Sequence, residues 1–288
     1  MSLSSALQKL ATYRASNTRA SQETFETGLT VLNSGKQLDV EGWAFLEQLA
    51  LAAIDVGRLD IADRCLKLLT DKFPRSPRVD VLAGIRMEAT ESLEVVLQYY
   101  DELLDEDSAN AAAWKRRISV IRRTGRYDRA VEELSAYLDT FYTDLEGWLE
   151  LADVYASCNQ YTHALQALSH ALLLAPQNPF TFLQFAETAY TAGDLPLALK
   201  MFLVVVDMGE RDSDKDEPPV SINIRAWLGV KLCTRQLVSA PHSSSASNTP
   251  IPQKIKLIDE LATERVLVSY HGEQDTGSRL VSSWLAPR

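Results

Sequence analysis

Cysteine is scarce in this 288-residue chain, and the three present, Cys65, Cys158 and Cys233, are odd in number and far apart. That arithmetic excludes a disulfide framework and a thiolate metal cluster. Each falls within a helical pattern, where a free thiol packs as a small hydrophobe. Histidine is equally rare: His163 and His170 fit one helix face, but no Cys, Asp or Glu stands at ligand spacing beside them. No metal or other cofactor is expected. No apolar stretch reaches the roughly 18 to 20 residues of a membrane span. Met1 is not followed by a basic segment and an apolar core of signal-peptide type, so a peripheral position on the cytosolic side of a membrane, or the cytosol itself, is expected. Positive charge is also short, the formal net charge being −10, which argues against a nucleic-acid partner. Phosphate-binding loops, dinucleotide fingerprints, nucleophile elbows and zinc-protease motifs are all missing, so neither an enzyme nor a small-molecule substrate is expected.

Internal repetition is what the chain has in abundance. Trp114, Trp148 and Phe182 follow one another at a spacing of 34 residues. The same step links Arg117, Leu151 and Phe185; Tyr127, Tyr161 and Leu195; Ala130, Ala164 and Ala198; and Leu134, Leu168 and Phe202. Ladders with one shared period mark a helical repeat array. Stepping back from Ala130 reaches Val96 and Ala62, and from Gly125 reaches Glu91 and Gly57, so two degenerate copies precede the clear ones.

Within one copy, Trp148, Leu151, Ala152, Tyr155, Tyr161, Ala164, Leu168, Ala171 and Pro176 resemble the tetratricopeptide pattern. Each such unit pairs two short antiparallel helices whose close crossing needs a small side chain, with aromatics filling the wider space beside it. Trp114, Ala130, Trp148, Tyr161, Ala164, Phe182 and Ala198 are therefore assigned to the repeat core. Gly57, Gly125, Gly193 and Asn159 are expected at left-handed turns, and Pro74 and Pro176 just past helix ends. In the copy at 77–110, Asp80 replaces the aromatic, Glu91 the turn glycine and Val96 the small residue, which predicts less regular packing.

The expected fold is all-α, a right-handed tetratricopeptide-repeat superhelix, or α-solenoid, with atypical capping helices at both ends. Residues 1–42 are read as N-terminal capping helices and 43–208 as about five repeat pairs. An acidic loop is expected at 209–221, followed by a capping helix pair at 222–288 interrupted by a Ser/Pro-rich mobile linker at 239–252.

First helices of such pairs line a concave groove. Lys115, Arg116, Arg122 and Arg123 of one copy and Glu146, Glu150 and Asp153 of the next are the expected partner-binding charges. They could equally solvate one another across neighbouring helices. Reversing the charge of Lys115 and Arg116 is expected to leave the fold intact. At the offset where chaperone-binding modules place a carboxylate-gripping Asn, this chain has Ser119, Asp153 and Glu187, which argues against that mode.

The order of segments from Thr124 to Asp128, Trp148 to Tyr155, Ala164 to Pro176 and Arg225 to Gly229 resembles the subunit 2 family of the endoplasmic reticulum membrane protein complex. The resemblance covers most of residues 40–237. It implies a non-catalytic scaffold on the cytosolic face of the endoplasmic reticulum, associated with the membrane indirectly. Such a subunit holds cytosolic parts of the membrane-embedded subunits, and other cytosolic ones, in an assembly that inserts transmembrane segments. The alternative is a free cytosolic adaptor or co-chaperone that binds peptide segments.

Overall fold

The computed structural model describes residues 3–34, 40–210, 218–239, 246–270 and 276–285. Within them every regular element is a helix: α1 (Leu3–Ala15), α2 (Ser21–Leu32), α3 (Val40–Asp55), α4 (Leu59–Lys72), α5 (Pro77–Met87), α6 (Leu93–Glu106), α7 (Ala111–Arg123) and α8 (Tyr127–Thr140). There follow α9 (Leu145–Ser157), α10 (Tyr161–Leu174), α11 (Pro179–Thr191), α12 (Leu195–Glu210), α13 (Ile222–Ser239), α14 (Ile255–Ser269) and α15 (Thr276–Leu285). None is long and apolar enough to cross a membrane. Two compact units, Met1–Ala130 and Val131–Arg288, divide the chain inside α8. The expected boundaries shift slightly: α3 begins at Val40, α12 runs on to Glu210, and α15 is an additional helix. Most of the acidic segment, 211–217, lies outside the described residues, as does 240–245 of the Ser/Pro-rich stretch.

Turn chemistry sets the helix pairs. Gly57, Gly125 and Gly193 have φ of 77°, 74° and 84°, and Asn159 takes the same place at 60°, a region that costs a residue with a Cβ roughly 1–2 kcal/mol. Asn110 and Asn178 cap α7 and α11, accepting from the amides of Ala113 and Phe180. Helices α4 and α10 end two residues before Pro74 and Pro176, which cannot donate to a continuing helix. The small residues Ala62, Ala130, Ala164 and Ala198 are fully enclosed. Trp114, Trp148, Tyr161 and Phe182 are only half-buried, so the aromatic ladder borders the core rather than filling it. Trp148 donates its Nε1 proton to the Tyr142 carbonyl at 2.9 Å and stacks on His170 at 4.3 Å.

In unit 1, α1 to α4 enclose Leu10, Phe45, Leu46, Leu49, Cys65 and Leu69 as one core. In the degenerate α5–α6 pair Val96 is buried where the other copies have Ala, and Tyr100 stands where they have Leu or Phe; Gly84 on α5 makes room for that ring, which lies so close that a Cβ would meet it at 2.7 Å. Asp80 stands in the place of Trp114 and Trp148; burial there raises the pKa of its carboxyl, and the nearby Glu106 adds to the effect.

In unit 2, α9 with α10, α11 with α12 and α13 with α14 pack as successive helix pairs. Lys231 of α13, buried, reaches Asp259 of α14 at 2.7 Å, and the same carboxylate oxygen accepts from the Thr234 hydroxyl at 2.7 Å. Asp194, before α12, is buried and accepts from the amides of Leu197 (3.3 Å) and Ser247 (2.9 Å), which ties the described part of the 239–252 stretch to the α11–α12 turn.

Candidate functional site

Unit 1 contains a groove of about 800 Å³. Its walls come from the end of α1 and the turn into α2 (Tyr13 to Ser21) and from α3, α5 and α7, the first helices of successive pairs. Five arginines, Arg14, Arg19, Arg78, Arg116 and Arg123, and three carboxylates, Glu47, Asp55 and Glu88, line it.

Glu88, immediately past α5, is the hub of the far wall, with only 5% of its side chain exposed. Its Oε1 accepts from Arg116 Nε at 3.0 Å and from the Tyr100 hydroxyl at 2.8 Å; its Oε2 accepts from Arg116 at 2.7 Å and Arg123 at 3.1 Å. A planar guanidinium meeting a carboxylate through two parallel bonds is the strongest form of this pair. Burial beside that carboxylate moves the Tyr100 hydroxyl pKa well above the ordinary phenol value. The near wall repeats the device: Arg78 bonds Glu47 at 2.7 Å, Arg19 bonds Asp55 at 3.2 Å, and Arg14 donates to the Gln48 amide oxygen at 3.0 Å.

Of the basic side chains expected on this wall, the structure brings Arg116 and Arg123 to the groove, while Lys115 and Arg122 do not line it. Arg116 belongs to the fold, so reversing its charge would set a carboxylate against buried Glu88 instead of leaving the fold untouched. Glu146, Glu150 and Asp153 lie in unit 2 on α9, spaced to share one face, with Glu146 and Asp153 exposed. Glu187 of α11 is engaged by Arg225 of α13 at 2.5 and 2.8 Å.

Sequence reasoning assigned α1 and α2 to capping and missed their part in the groove, together with Arg14, Arg19, Arg78 and the acceptor Glu88. A usable signal was present. The pairs Arg14–Gln48, Arg19–Asp55, Arg78–Glu47 and Arg123–Glu88 are separated by 34, 36, 31 and 35 residues, about one repeat, the distance that sets first helices side by side.

Among the described residues no group of three or more His, Cys, Asp or Glu is arranged to hold a metal ion. His163 stacks on Tyr155 at 5.2 Å. Burial pushes the thiols of Cys65 and Cys233 up to about 12, whereas Cys158 is half-buried at the end of α9. Thiolate supply governs alkylation. Iodoacetamide at neutral pH should therefore label Cys158 first and leave Cys65 and Cys233 intact until the chain unfolds; peptide mass mapping showing early label on either buried thiol would contradict the packing.

Residues 61–198 match the family described as the EMC2 TPR-like repeat domain. Among curated proteins, the chain is 36% identical over 241 residues to ER membrane protein complex subunit 2-A of Xenopus laevis, covering 82% of this chain and 77% of that one. It is 32% identical over 209 residues to the TPR repeat protein oca3 of Schizosaccharomyces pombe, covering 71% and 70% respectively. Among solved structures, the C-terminal part of a TPR repeat-containing protein from Cytophaga hutchinsonii superposes with a TM-score of 0.60 at 12% identity, covering 96% of this chain and 98% of that one, a likeness of fold alone. The periodic ladders, the tetratricopeptide helix pairs and the extent of identity lead to one conclusion: the chain belongs to the ER membrane protein complex subunit 2 family.

Proposed function

We propose that this chain is a non-catalytic scaffold subunit of an endoplasmic reticulum membrane protein complex, bound peripherally on the cytosolic face. In this reading it holds cytosolic parts of the membrane-embedded subunits, together with other cytosolic subunits, in an assembly that inserts transmembrane segments. The observation that carries the reading is the 36% identity over 241 residues to a protein named as subunit 2 of that complex. The groove supports it: a broad concavity lined by ion pairs suits an extended protein segment, with charge complementarity setting its register. The charged faces of α7 and α9, including Lys115, Arg122, Glu146, Glu150 and Asp153, present further partner-facing side chains in this reading.

The test is affinity purification of the tagged chain from detergent-solubilised membranes, with mass spectrometry of the co-eluting proteins at moderate salt. Several multispanning proteins in constant ratio are the expected result. Soluble chaperones alone would replace the scaffold with a free cytosolic adaptor.

A further inference from the structure

The groove of unit 1 carries a polarity opposite to that of the chain that builds it. The chain has a formal net charge of −10, yet five arginines against three carboxylates leave the groove lining at +2. The arginines also stand nearer the solvent than the acids that hold them. Arg78 is 77% exposed over Glu47 at 26%, Arg19 is 83% over Asp55 at 35%, and Arg123 is 54% over Glu88 at 5%. Arg14 meets no carboxylate among the described residues; its one bond is to Gln48. The recessed acids thus fix the guanidinium groups in place, and what faces the opening is a set of preorganised cationic donors. Leu51, also on the lining, keeps 39% of its surface open and supplies an apolar contact between them.

We propose that this groove takes an acidic segment of a partner protein, with carboxylates set against Arg14, Arg19 and Arg78 and an apolar side chain over Leu51. The inference rests on the scaffold reading above and names the chemistry of the segment that scaffold would hold. Charge complementarity selects the occupant. A guanidinium whose counter-carboxylate lies behind it still has donors free for a second carboxylate. A nucleic-acid strand fits less well, because its phosphates would leave a groove of small positive excess and run onto a strongly acidic surface.

The test uses the full chain and fluorescence anisotropy with a short fluorescein-labelled peptide of alternating Glu and Leu, the matching Gln and Leu peptide, and a single-stranded oligouridylate. The Glu–Leu peptide is expected to bind at least about tenfold more tightly than the Gln–Leu peptide, with the advantage shrinking as salt rises. The double variant Arg14→Gln/Arg78→Gln should lose that advantage. Arg58→Gln, which alters an arginine paired with Asp60 outside the groove, should keep it. Because Arg19 is largely exposed, Arg19→Gln offers a weaker effect in a chain that stays folded, as circular dichroism will show. Equal affinity for the two peptides, no measurable binding, wild-type affinity in both groove variants, or tighter binding of the oligouridylate would each overturn the proposal. Failure here with multispanning proteins still co-purifying would remove the groove inference and leave the scaffold; loss of those proteins from the wild-type purification would remove the scaffold itself.

Discussion

Glu88→Ala is expected to destabilise unit 1 by about 3 kcal/mol, the cost of removing one partner of a largely buried charge pair. The carboxylate serves Arg116, Arg123 and the Tyr100 hydroxyl at once. Arg123 is more than half exposed and regains water, so its share is small. Arg116 and Tyr100 lose a partner where water reaches them poorly, and Tyr100 is also the side chain that fills the α5–α6 crossing opposite Gly84. Glu88→Gln keeps the shape and an acceptor but not the charge, and should lose roughly half as much. A single unfolding free energy describes a chain of two compact units poorly. The informative readout is amide hydrogen exchange in α5, α6 and α7, which should rise for Glu88→Ala while α11 to α13 keep wild-type protection. A loss below about 0.5 kcal/mol would mean that the network is solvated decoration rather than part of the packing.

Gly229→Ala should destabilise unit 2 by about 2 kcal/mol, although the same change in an ordinary helix interior gains up to about 1 kcal/mol. Gly229 lies in α13 where it faces α12, and a Cβ there would stand 2.4 Å from the Phe202 ring. Phe202 is itself buried at 3% exposure, so the ring cannot swing into solvent. The two helices must separate or the ring must leave its rotamer, and either loses packing. Phe202 occupies the ladder position of Leu134 and Leu168, so leucine is compatible with the helix pair. Phe202→Leu/Gly229→Ala should therefore recover most of the loss, a coupling visible in a double-mutant cycle of thermal melts. Strict additivity, or a more stable Gly229→Ala, would show that the crossing has slack.

The extent to which these features could be read from sequence depends on how local their causes are. The left-handed turns at Gly57, Gly125, Asn159 and Gly193 and the enclosed alanines at Ala62, Ala130, Ala164 and Ala198 recur at a fixed period, and one residue type answers each need. The fit of Tyr100 against Gly84 involves two positions that each depart from the pattern alone and make sense only across a helix crossing. Glu88 is one residue in a chain rich in acids, and nothing local separates it from Glu91, which was read as the turn residue. Its role comes from Arg116 and Arg123, 28 and 35 residues away. Asp194 was passed over for the same reason, since the amide of Ser247, which it accepts from, lies 53 residues downstream.

The cations that line the groove are all arginines; neither lysine nor histidine is among the lining residues. A guanidinium stays protonated throughout the physiological range; Glu47 holds Arg78 higher still, and although burial of Arg116 works to lower its pKa, its bonds to Glu88 outweigh that and hold it higher too. Acidification therefore adds no charge to these cations, and lysine acetylation has no target among the lining residues. Ionic strength remains as the physical control, acting over a Debye length of roughly 8 Å at physiological salt. A phosphate added to the bound segment would strengthen the contact, whereas one added to a hydroxyl of the lining, such as Thr18 or Ser21, would weaken it.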